Sequence, residues 1–253
     1  MTLAAPISPM QQPAANTAGS ALCIRAAGIC KSIDDRPILR NVDLDIPHGQ
    51  FIALLGANGA GKSTLLRILS TLLPPTAGTI QLFGFSARSA SLQARAKIGF
   101  IGHQSMLYGE LTALENLEFF GKLYGVKSPR DRALRLLTLL DLARRANDRV
   151  KSFSRGMSQR VAIARALMHE PELLLADEPF AGLDAPSAAN LERVLAALHD
   201  AGKTIILANH DIPQSLRLAE RAVLLVNGKI LIDAPARALD ADHVLFRMER
   251  NRS

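Results

Sequence analysis

A glycine-rich loop that follows a short apolar run constrains this chain more than any other feature of its sequence. The run is residues 51–55, and the loop continues into a helix that begins near Lys62. Glycines at these spacings let successive backbone amides point at one anion, and the helix N-terminus adds partial positive charge there. A glycine-rich turn that binds nothing is the alternative, but a lysine and a serine in register favour a nucleoside triphosphate site. The predicted phosphate-binding residues are Gly56, Ala57, Asn58, Gly59, Ala60, Gly61, Lys62, Ser63 and Thr64.

Two adjacent carboxylates, Asp177 and Glu178, end a second apolar run, residues 173–176. Because successive strand residues point to opposite faces, we expect the two side chains to leave in different directions. Asp177 would hold Mg2+ together with the Ser63 hydroxyl, and Glu178 would polarise the water that attacks the γ-phosphate. The alternative is a solvated acidic loop, which fits poorly because buried charge is tolerated only when it is paired or metal-bound. With Lys62 reaching the outer phosphates, these residues predict nucleotide hydrolysis.

The composition is that of an ordinary globular chain and excludes few classes of protein. Of 253 residues, 48% are hydrophobic and 21% are charged, and no run approaches the roughly 18 apolar residues of a membrane span. The formal net charge of +7 suits a nucleotide, nucleic acid or an anionic membrane surface, and equally a basic surface that binds nothing. Only two cysteines are present, which favours a reducing compartment over a disulfide scaffold.

The pattern of the chain predicts one domain over residues 21–253, preceded by a disordered leader at residues 1–20 that is not a secretory signal. Apolar runs alternate with helical periodicity, as in an α/β fold whose strands lie between helices. From about 105 to 165 helical periodicity prevails, which predicts a helical subdomain inserted between strands. The runs predicted as strands are 51–55, 79–83, 98–101, 173–176, 204–208 and 222–226.

Two boundaries can be predicted from turn and breaker residues. The helix after the phosphate loop carries leucines as far as Leu73 and is expected to stop at Pro74-Pro75. Asn227-Gly228 lies between two apolar runs, which is typical of a two-residue hairpin turn.

The phosphate loop, the acidic strand end and further motifs resemble the nucleotide-binding subunit of an ABC transporter over residues 22–235. The resemblance implies an ABC-type P-loop NTPase core sheet with an antiparallel β portion, and ATP as the nucleotide. Residues 153–160, Phe-Ser-Arg-Gly-Met-Ser-Gln-Arg, stand where that family has its signature loop. Ser154 and the amide of Gly156 would bind the γ-phosphate of ATP held by a second, facing subunit, and Arg155 replaces the usual second glycine.

The same resemblance assigns roles to four more residues. Gln104 would touch Mg2+ and couple the nucleotide to the helical subdomain, and Asp184 would lie in the loop that crosses the dimer interface. His210 follows the apolar run 204–208 and matches the histidine that contacts the γ-phosphate. Ile33 occupies the place of the aromatic residue on which this family usually stacks adenine. A branched aliphatic packs on the base without π-stacking, so weaker binding of the base is expected.

Residues 101–117, together with 177–180, are similar to the ATP-binding subunit of the haem exporter used in cytochrome c maturation. ATP-binding subunits of drug and lipid exporters are the runner-up. Either reading implies ATP and Mg2+, an integral-membrane permease as partner, and a second ATP-binding subunit that we expect to be another copy of the chain. The implied location is the cytoplasmic face of the inner membrane, where the chain would be peripheral.

Other classes of nucleotide-binding protein fit less well. ABC ATPases that act on DNA or ribosomes carry long coiled-coil or zinc insertions or a second nucleotide domain, and this sequence contains neither. It also contains no aromatic and basic platform for bases, so no nucleic-acid partner is expected. A GTPase or small-molecule kinase would need an Asn-Lys-x-Asp motif or a basic lid segment, and neither is found.

Overall fold

The computed structural model describes residues 22–87 and 92–250, and the leader predicted for residues 1–20 lies outside them. Within the described residues the chain forms strands and helices around two sheets. The strands are β1 Leu22–Ile33, β2 Arg36–Pro47, β3 Phe51–Leu55, β4 Ala77–Leu82, β5 Phe85–Ser86, β6 Ile98–Ile101, β7 Leu173–Asp177, β8 Thr204–Ala208, β9 Arg221–Val226 and β10 Lys229–Pro235. The α-helices are α1 Lys62–Leu69, α2 Leu92–Arg95, α3 Ala113–Leu123, α4 Pro129–Leu139, α5 Arg155–Leu167, α6 Ala185–Asp200, α7 Ile212–Leu218 and α8 Ala241–Arg250. Short 3-10 turns occupy Ala143–Arg145, Val150–Ser152 and Ala236–Ala238.

The central sheet has the strand order β10-β9-β3-β8-β7-β6 and is parallel except for β10. Every residue of β3, β7 and β8 is buried, as expected for strands covered by helices on both faces. The predicted hairpin joins β9 to β10: Asn227 and Gly228 have φ of 48° and 76°, the positive values that a type I′ turn requires. Because the strands are parallel, the carboxyl ends of β3, β6, β7 and β8 meet at one edge.

A second, antiparallel sheet has the order β2-β1-β4-β5. Its inner face contributes Ile24 and Ile46 to an apolar core that also contains Ile52 of β3 and Leu65 of α1. Helix α1 and the central sheet therefore share one core with this sheet. The fold is α/β, as the sequence pattern predicted, with the antiparallel portion that the family resemblance implied.

Helices α3, α4 and α5 make up most of the segment 105–165, and the described residues between Ser105 and Ser152 contain no strand. Their apolar faces meet in a second core that includes Leu117, Leu137 and Val161. Helix α3 begins with a capping box: Thr112 Oγ1 accepts from the Glu115 amide at 3.1 Å, and Glu115 Oε2 accepts from the Thr112 amide at 2.8 Å.

The expected end of α1 is wrong. The helix stops at Leu69, with Ser70 as its C-cap, and does not continue through Leu72 and Leu73 to the proline pair. Thr71 adopts φ 64°, and a left-handed residue ends a helix because it turns the backbone away from the helical path. The helix therefore ends before Thr71, ahead of the point where the chain reaches the proline pair.

Candidate functional site

The phosphate loop connects the buried end of β3 to α1, and two of its glycines cannot be replaced without a clash. Gly56 has φ 152°, and a Cβ there would lie 2.4 Å from the Leu225 carbonyl oxygen on β9. Gly61 caps α1 with φ 106°, and a Cβ there would lie 2.8 Å from a methyl group of Leu39 on β2. The loop is thus clamped between the two sheets, which fixes the direction of its amides.

Lys62 is buried at the start of α1 with only 7% of its surface exposed. Its Nζ donates to the carbonyl oxygens of Gly56 at 2.7 Å and Ala57 at 3.2 Å, so the ammonium lies against the loop. Burial lowers the pKa of Lys62, while the nearby carboxylates of Glu178 and Asp177 oppose that shift. A buried cation held against two carbonyl oxygens is suited to an incoming anion, because a phosphate would offset its desolvation.

Asp177 is the last residue of β7, and the Ser63 side chain interacts with its carboxylate. The residue is 5% exposed. Burial raises the pKa of Asp177 and nearby Glu178 raises it further, whereas Ser63, Lys62 and His103 lower it. A carboxylate and a hydroxyl in contact are hard oxygen donors, and Mg2+ commonly takes few protein ligands and completes its shell with waters and phosphate oxygens. The Asp177–Ser63 pair therefore fits Mg2+. No group of three or more His, Cys, Asp or Glu side chains suited to a metal occurs in residues 22–87 and 92–250.

Glu178 follows the strand in a left-handed conformation, φ 52°. Its amide donates to the Ala208 carbonyl on the neighbouring β8 at 2.8 Å, which holds the turn in place. Its carboxylate Oε2 lies 2.7 Å from Nδ1 of His210, and the Glu178 side chain is 22% exposed. Left-handed backbone is costly for a side chain of this size and persists only where the surroundings enforce it. Glu178 is therefore directed to the carboxyl edge of the sheet, beside the phosphate loop.

The segment that carries His210 is tied to α6 by a chain of side-chain hydrogen bonds. Asn209 Nδ2 donates to Gln214 Oε1 at 2.7 Å, and Gln214 Nε2 donates to Glu192 Oε1 of α6 at 2.8 Å. Arg217 Nη2 also donates to Glu192 Oε1, at 2.9 Å. Asn209 also accepts from the His210 amide at 2.9 Å. The sequence motifs do not indicate this network, because its members come from three separate elements.

The signature loop lies at the N-terminus of α5 and touches the loop before α6. Ser154 is exposed, and its hydroxyl caps α5 by accepting from the Met157 amide at 3.2 Å. A Cβ on Gly156 would lie 2.5 Å from the Gly182 carbonyl oxygen. The two loops therefore approach closely within one chain, and only glycine fits at this contact. Gln159 adds a hydrogen bond from Nε2 to the Pro179 carbonyl at 3.2 Å.

Asp184 has a structural role at the start of α6. Its Oδ1 accepts from the Ser187 amide at 3.0 Å, and the hydrogen bonds from Ser187 lower the pKa of Asp184. Asp184 lies in the loop that contacts Gly156, so its carboxylate belongs to the same exposed region as the signature loop.

Gln104 lies at the carboxyl edge of the central sheet, whereas Ile33 belongs to the antiparallel sheet. Gln104 is exposed in the loop after β6, whose carboxyl end neighbours that of β7. Ile33 ends β1 with 44% of its surface exposed. His103, which the sequence patterns leave without a role, lines a small cavity with Glu178 and interacts electrostatically with Asp177. Only its position after the predicted strand β6, two residues past Ile101, could have indicated it.

The family to which the chain belongs can be read from its sequence as well as from this geometry. Residues 39–181 match the model of a family described as ABC transporter. That span is more than half of the chain and includes the phosphate loop and the strand end at Asp177 and Glu178. The chain belongs to the ABC transporter family. The signature loop lies within the same span. The ABC ATPase is an ATP-binding and ATP-hydrolysing subunit of a transporter.

Curated relatives of the ABC ATPase are named for drug resistance and for import. It is 35% identical to the linearmycin resistance ATP-binding protein of Bacillus subtilis, over 82% of this chain and 68% of that protein. It is 36% identical to a daunorubicin resistance ATP-binding protein of Streptomyces coeruleorubidus, over 87% of this chain and 70% of that protein. It is 39% identical to the phosphonates import ATP-binding protein of Trichormus variabilis, over 83% of this chain and 91% of that protein.

Solved structures agree with the fold. A dimeric ATP-binding cassette in a post-hydrolysis state with ADP and phosphate has a TM-score of 0.79 and is 32% identical, covering 85% of this chain and 100% of that one. An ATP-binding subunit of an ABC transporter has a TM-score of 0.82 at 27% identity, over 90% of this chain and 99% of that one. Within the described part of the ABC ATPase, no helix has the length and apolar character needed to cross a bilayer.

Proposed function

We propose that the ABC ATPase hydrolyses Mg2+-bound ATP at the carboxyl edge of its central sheet, with Glu178 and His210 at the reacting phosphate. The observation that carries this proposal is the 2.7 Å contact between Nδ1 of His210 and Oε2 of Glu178. Glu178 follows β7 and His210 follows β8, and their contact holds a carboxylate and an imidazole together beside the phosphate loop. Both groups can exchange protons or hydrogen-bond to a reacting water and phosphate.

Each remaining residue supports one part of the reaction. The loop amides and Lys62 bind the phosphates, and Ser63, Asp177 and Gln104 are the residues that would hold Mg2+, which neutralises charge on the β- and γ-phosphates. Glu178 orients a water and accepts its proton as the water oxygen attacks the γ-phosphorus. The bond between the γ-phosphorus and the bridging oxygen breaks, and ADP leaves with the electron pair.

We further propose that two copies of the ABC ATPase enclose the nucleotides between them. Ser154 and Gly156 lie at the exposed N-terminus of α5, which offers amides and partial positive charge to an anion. They would bind the γ-phosphate of ATP held by the facing copy, and Asp184 would lie close to the same interface. The dimeric state of a cassette with 32% identity supports this arrangement. Loss of the γ-phosphate would remove the shared anion and let the copies separate.

The permease partner is supported by an exposed aromatic cluster at the start of the helical segment. Tyr108 and Phe119 are 51% and 43% exposed, and their rings meet edge to face at 5.3 Å. Phe120 stacks on Tyr108 at 6.2 Å. Clustered exposed aromatic residues are enriched at protein interfaces. The cluster follows Gln104 closely in the chain, which places it near the nucleotide site in sequence. Since the permease is an integral membrane protein, binding to it would hold the ABC ATPase at the cytoplasmic face of the inner membrane.

For the cargo we propose haem export in cytochrome c maturation, on the resemblance of residues 101–117 and 177–180. Drug or lipid export is a second candidate, because linearmycin and daunorubicin resistance proteins are among the relatives. The test is complementation of a strain that lacks the haem-exporter ATPase, with assembled c-type cytochromes as the readout. Restoration by the wild-type chain and not by Glu178→Gln supports the proposal. If the expressed chain hydrolyses ATP in membranes and restores no cytochrome, drug or lipid export takes its place.

A further inference from the structure

Away from the nucleotide site, a cavity of about 420 Å³ lies between α4 of the helical subdomain and α6. Small-molecule sites are commonly concave, mostly apolar and about 300–1,000 Å³ in volume, with a few polar groups that fix orientation. Leu136 and Leu139 of α4 line one side, and Val194 and Leu198 of α6 line the other. The cavity thus has the size and the apolar lining of a ligand site.

The charges that line this cavity are mainly positive. Arg132, Arg193 and Lys203 line it with a single carboxylate, that of Glu170. Arg132 Nη1 pairs with Glu170 at 3.2 Å, so the acidic group is already neutralised. Among the described residues Lys203 makes no ion pair, and Arg193 donates only to Asn190 Oδ1, at 3.2 Å. The lining therefore offers two cations for a ligand.

Arg132 is already engaged within the chain. Its Nη2 donates to the Leu167 carbonyl at 3.1 Å, and its Nη1 pairs with Glu170. An anion in the cavity would therefore pair with Lys203 and Arg193 rather than with Arg132.

We infer that this cavity binds a small amphipathic anion, a carboxylate on a hydrocarbon body. The hydrocarbon would fill the space between Leu139 and Val194, where apolar surface is removed from water. The carboxylate would pair with Lys203 and Arg193 at the rim. This site lies outside the nucleotide-binding loops, and its occupation does not require ATP hydrolysis.

An anion bound in this cavity would connect α4 to α6. Asn190 of α6 lines it and donates from Nδ2 to the Leu139 carbonyl at 2.7 Å and to Asp141 Oδ2 at 3.2 Å. These hydrogen bonds tie α6 to the end of α4. A ligand between the same two helices adds contacts across that junction and stabilises the folded chain by mass action.

The test is calorimetric titration of the full chain with octanoate, and with octylammonium and octanol as probes of equal length and different charge. We expect saturable binding of octanoate that is at least about tenfold tighter than that of octanol. Octylammonium is expected to bind most weakly, because the lining is cationic. Equal binding of octylammonium and octanoate, or no saturation by octanoate below about 10 mM, would overturn the inference.

Two pairs of variants place the binding in this cavity. Ala197 is exposed and lines the cavity, whereas its neighbour Ala196 is exposed and does not. Ala197→Trp should weaken octanoate at least about tenfold, and Ala196→Trp should leave it within about twofold. Lys203→Glu should weaken octanoate about tenfold, while the same charge reversal at exposed Arg144 should not. If the two variants of either pair changed the octanoate affinity equally, octanoate would bind elsewhere on the chain.

Discussion

Nδ1 of His210 lies 2.7 Å from Oε2 of Glu178, across the carboxyl ends of two adjacent strands. Glu178 reaches this position through a left-handed backbone, and the amide of His210 is held by Asn209 Oδ1. Both partners are therefore held in place by contacts within the chain. Preorganised groups lower the reorganisation needed at the moment of reaction, so each partner can be tested separately for binding and for hydrolysis.

Replacing Glu178 by Gln removes the proton acceptor and leaves the shape of the side chain. We expect ATP hydrolysis to fall about 10²-fold to 10⁴-fold, with ATP affinity nearly unchanged because Lys62 and the loop amides are intact. The variant should accumulate as a nucleotide-bound dimer in size-exclusion chromatography with ATP and Mg2+. Glu110→Gln, at an exposed position paired with Lys151, serves as the control. Near-normal phosphate release by Glu178→Gln would remove Glu178 from the mechanism.

His210→Ala should lower kcat about 10²-fold or more while changing the ATP dissociation constant only slightly. The imidazole is 72% exposed, so its removal leaves no cavity and the fold should persist. Steady-state phosphate release and fluorescent nucleotide binding measure the two effects. His243→Ala, at an exposed position of α8, should behave as wild type. An equal loss of binding and of turnover would instead indicate that His210 contacts the nucleotide in its ground state.

Ile33→Tyr should tighten ATP binding, because an aromatic ring adds stacking on adenine that a branched aliphatic lacks. The position is 44% exposed at the end of β1, which leaves space for a larger ring. We expect the dissociation constant to fall about threefold to tenfold, measured by calorimetry with a slowly hydrolysed ATP analogue. Ile33→Leu should change it little. Unchanged affinity in Ile33→Tyr would show that adenine lies elsewhere.

Much of the central sheet could be predicted because its signals are local. The runs 51–55, 98–101 and 204–208 have the bounds of β3, β6 and β8, since strands buried on both faces read as continuous apolar runs. The twelve-residue strands β1 and β2 were not among the predicted runs. They carry polar residues on their exposed face, and bulges disturb their register, which weakens the alternation on which such a prediction depends.

The candidate site could be predicted as a set of motifs but not as a geometry. The left-handed backbone of Glu178 depends on the hydrogen bond to Ala208 of a strand about 30 residues later in the chain. The contact between Gly156 and Gly182 likewise joins distant segments. His103 was not predicted because its position two residues past a strand end is only a weak signal for a lone histidine. Interactions between segments far apart in sequence decide these features, and local patterns do not encode them.

Gly156→Ala should destabilise the protein, because the added Cβ would lie 2.5 Å from the backbone oxygen of Gly182. A backbone atom cannot move aside cheaply, so the free energy of unfolding should fall by about 1–3 kcal/mol. Urea denaturation measures the change. Gly109→Ala is the matched control, since its Cβ would meet Lys151 at 3.5 Å, an ordinary contact. Equal stability of the two variants would show that the loops before α5 and α6 are free to separate.

Asp177→Asn should be more stable than wild type at neutral pH although it loses Mg2+-dependent hydrolysis. The pKa of Asp177 is raised, chiefly because burial disfavours the carboxylate, so the folded state binds this proton more tightly than the unfolded state does. The stability of wild type therefore falls as pH rises from about 3.8, the ordinary pKa, through the raised folded value. The amide carries no charge, so the variant should gain about 1 kcal/mol in nucleotide-free urea denaturation above that window and nothing below it. A variant less stable than wild type at neutral pH would mean that the contacts of Asp177 with Ser63 and Lys62 outweigh its desolvation.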